Sequence, residues 1–547
     1  MRMKKFCPHG IARTGRIWYN GGRLWKSGET MRKILCIVLC VLLAVGVLVA
    51  GLGFVITPKS AKAPNDPVEG VKPFSASSEL SCNYYRIPAL WTTQSGTVLA
   101  AIDARYGGTH DSPNNIDAAV SRSFDAGQSW ESPRLVAGFR DWANDGMLLK
   151  SNGSYTVADS ASVIDPALLE DTTTGRIFLL MDAFPANAGA PASEVGTGYT
   201  QIDGQPALLL RKAGETEFSY TLREDGAIYD EAGAKTEYTV NARGEILENG
   251  QPLFLAQRRQ KYWFNVPYVV ETGEQVPMHI FYDGALFSAL GTSYLYLLYS
   301  DDDGKTWSEP VELNAQVKPE NVGFFGVSPG RGVQLTTGAH KGRLLFTAYA
   351  LDAETGEQQF AALFSDDGGK TWQSGEFVTL TDEIRSMSET QLVECPDGSL
   401  LAFSRTTSGY MSVSRSTNGG ESWSAPTLDD ALPLSAGSGC QVSALRINRK
   451  LDGKDVVLLS APAGEGRKNG FLYVGVLEAD EAGTYGVDWK YKKELTDADT
   501  YFAYSCLTEL PDGNIGLLYE QTNIAQSVDT VVFCSYTFSE LCETPLD

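Results

Sequence analysis

Arginines, carboxylates and tyrosines, rather than histidines or cysteines, are the groups with which this chain can act on a substrate. Its four histidines, His9, His110, His279 and His340, do not pair at zinc-ligand spacing, and its nine cysteines contain no Cys-x-x-Cys pair. No metal centre, disulfide framework or other cofactor is therefore expected. Arg86 lies in Tyr85-Arg86-Ile87-Pro88, Arg405 follows Ser404, and Arg467 lies in Gly466-Arg467-Lys468-Asn469-Gly470. Guanidinium groups hold a carboxylate through paired, charge-assisted bonds that an ammonium group cannot duplicate. Carboxylates stand at Asp111, in Asp103-Ala104-Arg105-Tyr106-Gly107-Gly108-Thr109-His110-Asp111, and at Asp117, in Asn114-Asn115-Ile116-Asp117. Others are Glu389 and Glu394, in Ser388-Glu389-Thr390-Gln391-Leu392-Val393-Glu394, and Glu520, in Leu518-Tyr519-Glu520. Tyr504 opens Tyr504-Ser505-Cys506-Leu507, with Tyr501 and Tyr519 nearby. A phenol, with an unperturbed pKa near 10, becomes a useful nucleophile only when a neighbouring carboxylate takes its proton. Singly, each residue also has a bland reading: a surface Arg, a solvated Glu, a Tyr packed in a strand.

These groups are scattered over more than four hundred residues, so the fold has to gather them. One motif repeats: Ser-x-Asp-x-Gly-x-x-Trp at Ser123–Trp130, Ser300–Trp307 and Ser365–Trp372, with a fourth copy at Ser416–Trp423 carrying Asn418 for the Asp. Each follows a β-rich run: Ile116 to Val120, Tyr294 to Tyr299, Phe360 to Phe364 and Tyr410 to Val413. The Asp/Asn-x-Gly centre suits a left-handed hairpin turn, with the Trp expected to pack on the next strand. The Trp spacings of 65 and 51 residues suit one four-stranded propeller blade each. The spacing of 177 between Trp130 and Trp307 is expected to hold two blades and an insertion. The insertion is read at 197–277, where turn signals such as Asp203-Gly204, Asp225-Gly226 and Asn249-Gly250 punctuate short strand-like runs. The expected fold is all-β: a six-bladed propeller over 81–547 with a small β-rich inserted domain. A chain of 547 residues exceeds the usual size of one core, which a radially repeated architecture accommodates.

The repeats resemble the Asp-boxes of the sialidase superfamily, and the ordered motifs resemble those of bacterial exo-sialidases over nearly all of 82–540 outside the insert. The resemblance implies that Arg86, Arg405 and Arg467 form a three-arginine clamp for the substrate carboxylate. It implies further that Asp111 is the acid that protonates the leaving oxygen and that Arg105 helps to bind the sugar. Tyr504 matches the nucleophile, Glu389 its base, and Glu520 the carboxylate that holds Arg86. Asp117, at the start of a strand, reads as structural, and Glu394 as a solvated residue. The chemistry is coherent, since sialic acid carries a carboxylate on its anomeric carbon and would repel an anionic nucleophile, whereas a neutral phenol avoids that repulsion. Hydrolysis with retention through a sialyl-tyrosine is the implied reaction. Relatives that act as intramolecular trans-sialidases and release an anhydro sugar place a Trp shortly after the residue matching Glu520. This chain reads Gln521-Thr522-Asn523-Ile524-Ala525-Gln526 there. A propeller that binds glycans without catalysis is the reading from another class, and it predicts decayed motifs.

Composition sets the surroundings. With 43% hydrophobic and 20% charged residues and 55 Gly, the chain reads as folded and turn-rich. Its net charge of -22 disfavours nucleic acid and repels anions at long range, so an acidic substrate requires a local cluster of Arg. The expected partners are sialylated glycoproteins, glycolipids or oligosaccharides. Residues 1–30 are a polar, basic extension, and 31–56 read as a signal or membrane anchor: Ile34 to Ile56 is free of charge and follows Met31-Arg32-Lys33. Residues 57–80, with Pro58, Pro64, Pro67 and Pro73, read as a linker. The bulk of the chain is expected outside the cell, secreted or anchored through 34–56.

Overall fold

A computed structural model of the chain describes residues 70–546, apart from 76–79, 81, 83, 107, 145–158, 264–265, 353 and 522–530. The expected extension, the apolar segment 34–56 and most of the linker lie outside the described residues.

The strands form an all-β, six-bladed propeller. Blade 1 is an antiparallel sheet of Tyr84–Thr92, Val98–Arg105, Ile116–Ser123 and Arg134–Ala137. Its first three strands are buried on both faces, and Ala100, Ala101 and Ala104 keep the middle strand thin enough for neighbouring sheets to stack on it. Blade 2 joins Ser162–Asp171 and Arg176–Phe184 to Tyr294–Ser300 and Val311–Glu312. Blades 3 to 6 follow in chain order, beginning with the inner strands Phe324–Val327, Thr390–Glu394, Ser443–Leu451 and Ala503–Glu509. Blade 6 has three strands of its own. A segment from ahead of blade 1 extends it: the Val71 and Phe533 amides each donate to the other's carbonyl, at 2.9 and 2.7 Å.

Between its second and third strands, blade 2 sends out a separate sheet. It runs from Tyr199–Ile202 to Phe287–Ala289, the last strand pairing with Gln205–Lys212, and a long two-stranded ribbon, Phe254–Trp263 with Val266–Pro277, accompanies it. The sheet thus extends past residue 277, where the turn signals end, because Phe287 returns to the core beside Leu210, Ile228 and Ile246. The long interval between Trp130 and Trp307 therefore spans adjacent blades 1 and 2 and not two further blades; the excursion alone accounts for the length.

The repeated turns also reach across to the neighbouring blade. In the three copies with Asp, the Ser hydroxyl accepts from the Gly amide and the Trp indole donates back to that Gly carbonyl, as in Ser365, Gly369 and Trp372 at 2.9 and 3.2 Å; in the fourth, Ser416 accepts from the Gly420 amide but the Trp423 indole meets no hydrogen-bond partner among the described residues. The Trp side chain then leans on the preceding blade: Trp130 meets Phe533 of blade 6 edge-on at 5.3 Å, Trp372 meets Phe178 of blade 2 at 6.2 Å, and Trp423 meets Phe360 of blade 3 at 4.9 Å. Trp372 also meets Phe346 of its own blade at 5.6 Å, so the indole is wedged between two sheets.

Inner strands run parallel around the central channel. Cys506 donates to the Leu90 carbonyl, the Thr92 amide to Thr508, and the Leu507 amide to Ser443, so equivalent positions on neighbouring strands lie level. The inner strands therefore start at one mouth of the channel and end at the other.

Candidate active site

At the mouth where the inner strands begin, the structure gathers all eight residues singled out from the motifs. Arg86 sits near the start of its strand, where the register shifts between Arg86 and Ala89 and Ile87 adopts φ 58°. The bulge turns the guanidinium inward over the Tyr504 ring, 5.4 Å from its centroid. Glu520, at the end of a blade 6 strand and fully buried, accepts from Arg86 Nε at 3.1 Å and from the Ile87 amide at 2.9 Å. The pair joins the first blade to the last.

Tyr504 has φ 33° and stands at a second register shift, between Ala503 and Ser505. Its hydroxyl donates to Glu389 Oε1 at 2.8 Å. Arg405, just past a blade 4 strand, donates to Glu389 Oε2 at 2.8 Å and to the Tyr504 hydroxyl at 3.2 Å, while the Ser438 carbonyl holds its other edge at 2.7 Å. Arg467, in the turn of a blade 5 hairpin with φ 60°, lies 5.3 Å from the Tyr504 ring centroid and is steadied by the Gly439 carbonyl at 3.1 Å. Burial and the neighbouring Glu389 push the phenol well above its ordinary pKa, and Arg405, Arg467 and Arg86 pull it back. A proton leaving Tyr504 therefore has one adjacent acceptor and three cations to stabilise what remains.

Asp111 sits on the loop after blade 1's second strand, its side chain 70% exposed but its carboxylate on Arg105 at 2.7 Å and 3.6 Å from Arg86. The walls of the site push its carboxyl up, but Arg105 and Arg86 outweigh them and hold it at about 2. Arg105 is completely buried and is held from behind by Asp103 Oδ2 at 2.7 Å. Asp103 escaped selection from the sequence, although its position two residues before Arg105 on one strand put both on the same face. Its other oxygen accepts from the amide of Asp165, a half-buried residue with φ 65° whose carboxyl is pushed up by desolvation and by Asp103. Cys440 also went unnoticed as a neighbour of Tyr504: its sulfur accepts from the Tyr504 amide at 3.4 Å, and nothing local in the sequence signals that approach.

The remaining candidates lie apart. Asp117 is buried in blade 1, accepting from the Phe139 amide at 3.1 Å and Asn144 at 2.6 Å, and burial pushes its carboxyl up to about 7. Glu394, expected to be solvated, is buried near the far end of its strand, where the Thr336 and Thr337 amides and hydroxyls bind its carboxylate. The alternation that turns it from Glu389 turns it into the channel wall, since an inner strand has no solvent face. Tyr519 stacks on Phe502 at 4.6 Å as core. The segment after Gln521, where the Trp of anhydro-forming relatives would stand, lies outside the described residues.

A BNR repeat-like domain model matches residues 242–519, just over half of the chain. The chain is 37% identical to the anhydrosialidase of Macrobdella decora, over 86% of the chain and 62% of that protein. It is 36% identical to sialidase B of Streptococcus pneumoniae, over 82% of the chain and 63% of that protein. It thus spans a little under two thirds of the length of these curated relatives. The intramolecular trans-sialidase of Ruminococcus gnavus, solved in complex with oseltamivir carboxylate, superposes with a TM-score of 0.80 at 35% identity, covering 86% of this chain and 98% of that one. Matching motifs in matching order, one propeller and these likenesses make the chain a member of the sialidase family.

Proposed function

We propose that this protein is an exo-sialidase that releases terminal sialic acids from glycoconjugates with retention of configuration. The observation that carries the reading is the Tyr504 hydroxyl, 2.8 Å from Glu389 and faced by three guanidinium groups drawn from blades 1, 4 and 5. Arg86, Arg405 and Arg467 bind the substrate carboxylate, which fixes the anomeric carbon over the phenol. Tyr504 attacks that carbon as Glu389 takes its proton, the glycosidic bond breaks, and Asp111 gives its proton to the leaving oxygen. Water then attacks the sialyl-tyrosine, Asp111 takes a proton from it, and the phenolate leaves and recovers its own from Glu389. Arg105 positions Asp111 and the sugar, and Glu520 positions Arg86. Propeller relatives that only bind glycans have no need of this complete set.

Tyr504→Phe tests the reading. Release of 4-methylumbelliferone from its sialoside is expected to fall by about 10³-fold or more with an unchanged melting temperature; unchanged turnover would remove the nucleophile from Tyr504.

A second reading draws on the names of two relatives, an anhydrosialidase and an intramolecular trans-sialidase. In it a hydroxyl of the sugar, not water, captures the sialyl-tyrosine. Hydrolysis is favoured by Gln521-Thr522-Asn523-Ile524-Ala525-Gln526, which lacks a Trp. Mass spectrometry separates them, because the anhydro product is lighter by one water. Export is proposed with the apolar run Ile34 to Ile56 as signal or anchor, and the excursion from blade 2 is proposed as a rim domain. Fractionation of cells expressing the full chain, probed for residues beyond 81, checks the former.

A further inference from the structure

The opposite end of the channel holds a second cavity of about 390 Å³, within the range of small-molecule sites. It is built where the inner strands end, from Trp91 of blade 1, Glu170 of blade 2 with Arg331 paired on that blade's edge, Val333 of blade 3, Leu392 to Glu394 of blade 4 and Ala444 to Lys450 of blade 5. None of the eight residues of the candidate active site lines it. Its floor is apolar: Leu392, Val393, Leu445 and Ile447 are all buried.

Charge separates this cavity from an ordinary channel end. Four cations, Arg331, Arg446, Arg449 and Lys450, share it with three carboxylates, in a chain whose net charge is -22. The carboxylates are already engaged. Glu170 accepts from the Trp91 indole at 3.2 Å and the Gln94 amide at 3.0 Å, Glu394 is held by Thr336 and Thr337, and Asp455 serves Lys450 at 2.7 Å and Arg446 at 3.2 Å. Arg331 stacks on the Trp91 ring at 4.4 Å and donates to the Leu507 carbonyl at 2.9 Å. No carboxylate lies within ion-pair distance of it among the described residues. Burial pulls its pKa down, the sign of a charge that its surroundings do not repay. Arg449, exposed at the rim, lies over the Phe538 ring at 4.8 Å.

We propose that this cavity is a second, non-catalytic site that binds a small organic carboxylate, its acid group on Arg331 and its apolar body on the Leu392–Ile447 floor. A planar guanidinium fixed against an indole presents its free edge to a carboxylate with little loss of freedom. The rim cations, Arg449 above all, draw the anion in against the repulsion of the whole chain.

Benzoate and inorganic phosphate are the probes, titrated by calorimetry into wild-type protein, Arg331→Met and Arg449→Glu. Binding at the arginine clamp is common to all three and subtracts out. Benzoate is expected to lose at least tenfold in affinity with Arg331→Met and severalfold with Arg449→Glu, an exposed change that leaves the fold intact even if Arg331→Met unfolds. Sialoside turnover by Arg449→Glu is expected to match wild type. Absence of benzoate binding, or equal affinity in wild type and Arg449→Glu, would overturn the proposal. So would phosphate binding as tightly as benzoate, since the apolar floor would then contribute nothing.

Discussion

Asp111 poses a problem that only its neighbours resolve. The acid role proposed for Asp111 requires a proton near neutral pH, yet Arg105 and Arg86 hold this carboxyl at about 2. Asp111 lies 3.6 Å from Arg86, so a substrate carboxylate held by that guanidinium would share it with Asp111. Once the substrate neutralises Arg86, part of that stabilisation is lost and the Asp111 pKa rises. The alkaline limb of kcat, which reports the occupied site, is therefore expected at higher pH than that of kcat/KM, which reports the empty one. Superimposable limbs would show that substrate leaves Asp111 undisturbed. The same lowered pKa contributes stability above the ordinary carboxyl value of 3.8, which is lost as pH falls toward 2. Asp111→Asn is expected to slow release from sialyllactose by about 10²-fold or more, and from an aryl sialoside, whose leaving group needs no proton, far less. Glu520→Gln removes the fully buried partner of Arg86. It is expected to raise KM and to cost about 3 kcal/mol in denaturant unfolding. The eight candidates that the fold gathers at one mouth were legible because each lies in a short motif whose order along the chain is itself a signal. Cys440 and Asp165 were not, because they enter the site through backbone geometry: the sulfur through the Tyr504 amide, the carboxyl through a left-handed residue at a bulge.

The repeated turn does more than close a hairpin. The Gly of each copy lies so close to the preceding blade that a methyl group at Gly369 would come within 2.2 Å of the Phe178 ring, and its φ of 83° disfavours any other residue. Gly369→Ala is expected to destabilise the protein by about 1–3 kcal/mol, read as a lower melting temperature, with sialoside turnover at 25 °C unchanged. The turn's existence and chemistry could be read from Ser, Asp, Gly and Trp, because local hydrogen bonds dictate them. Its packing partner could not, since Phe178 and Phe533 are contributed by sheets remote in sequence. The same limit applied to Glu394: alternation fixed its face, but only the ring of blades determines that both faces of an inner strand are covered. The insert was visible as a break in the repeat. Its far boundary was not, because Phe287–Ala289 is set by pairing with Gln205–Lys212 rather than by a turn signal.

At the scale of the molecule, blade 6 is completed by residues that precede blade 1. Val71 pairs with Phe533, and Phe74 packs on Tyr85 at 5.4 Å. A chain beginning at Leu80 is expected to melt several degrees below one beginning at Val68, by calorimetry, because it leaves an unpaired edge and an open gap beneath Phe533. An equal melting temperature would show that the blades hold their ring without this strand. The salt bridge between Arg86 and Glu520 crosses the same seam, with one partner near the start of the folded chain and the other close to its end. Neither a protein synthesised only as far as blade 5 nor one whose ring has sprung open can aim that guanidinium, however intact the other blades are. On the proposed function, turnover is therefore expected to appear only once blade 6 has closed on blade 1 and to fall as soon as that seam opens, so that sialoside release would gauge ring closure more sensitively than bulk unfolding.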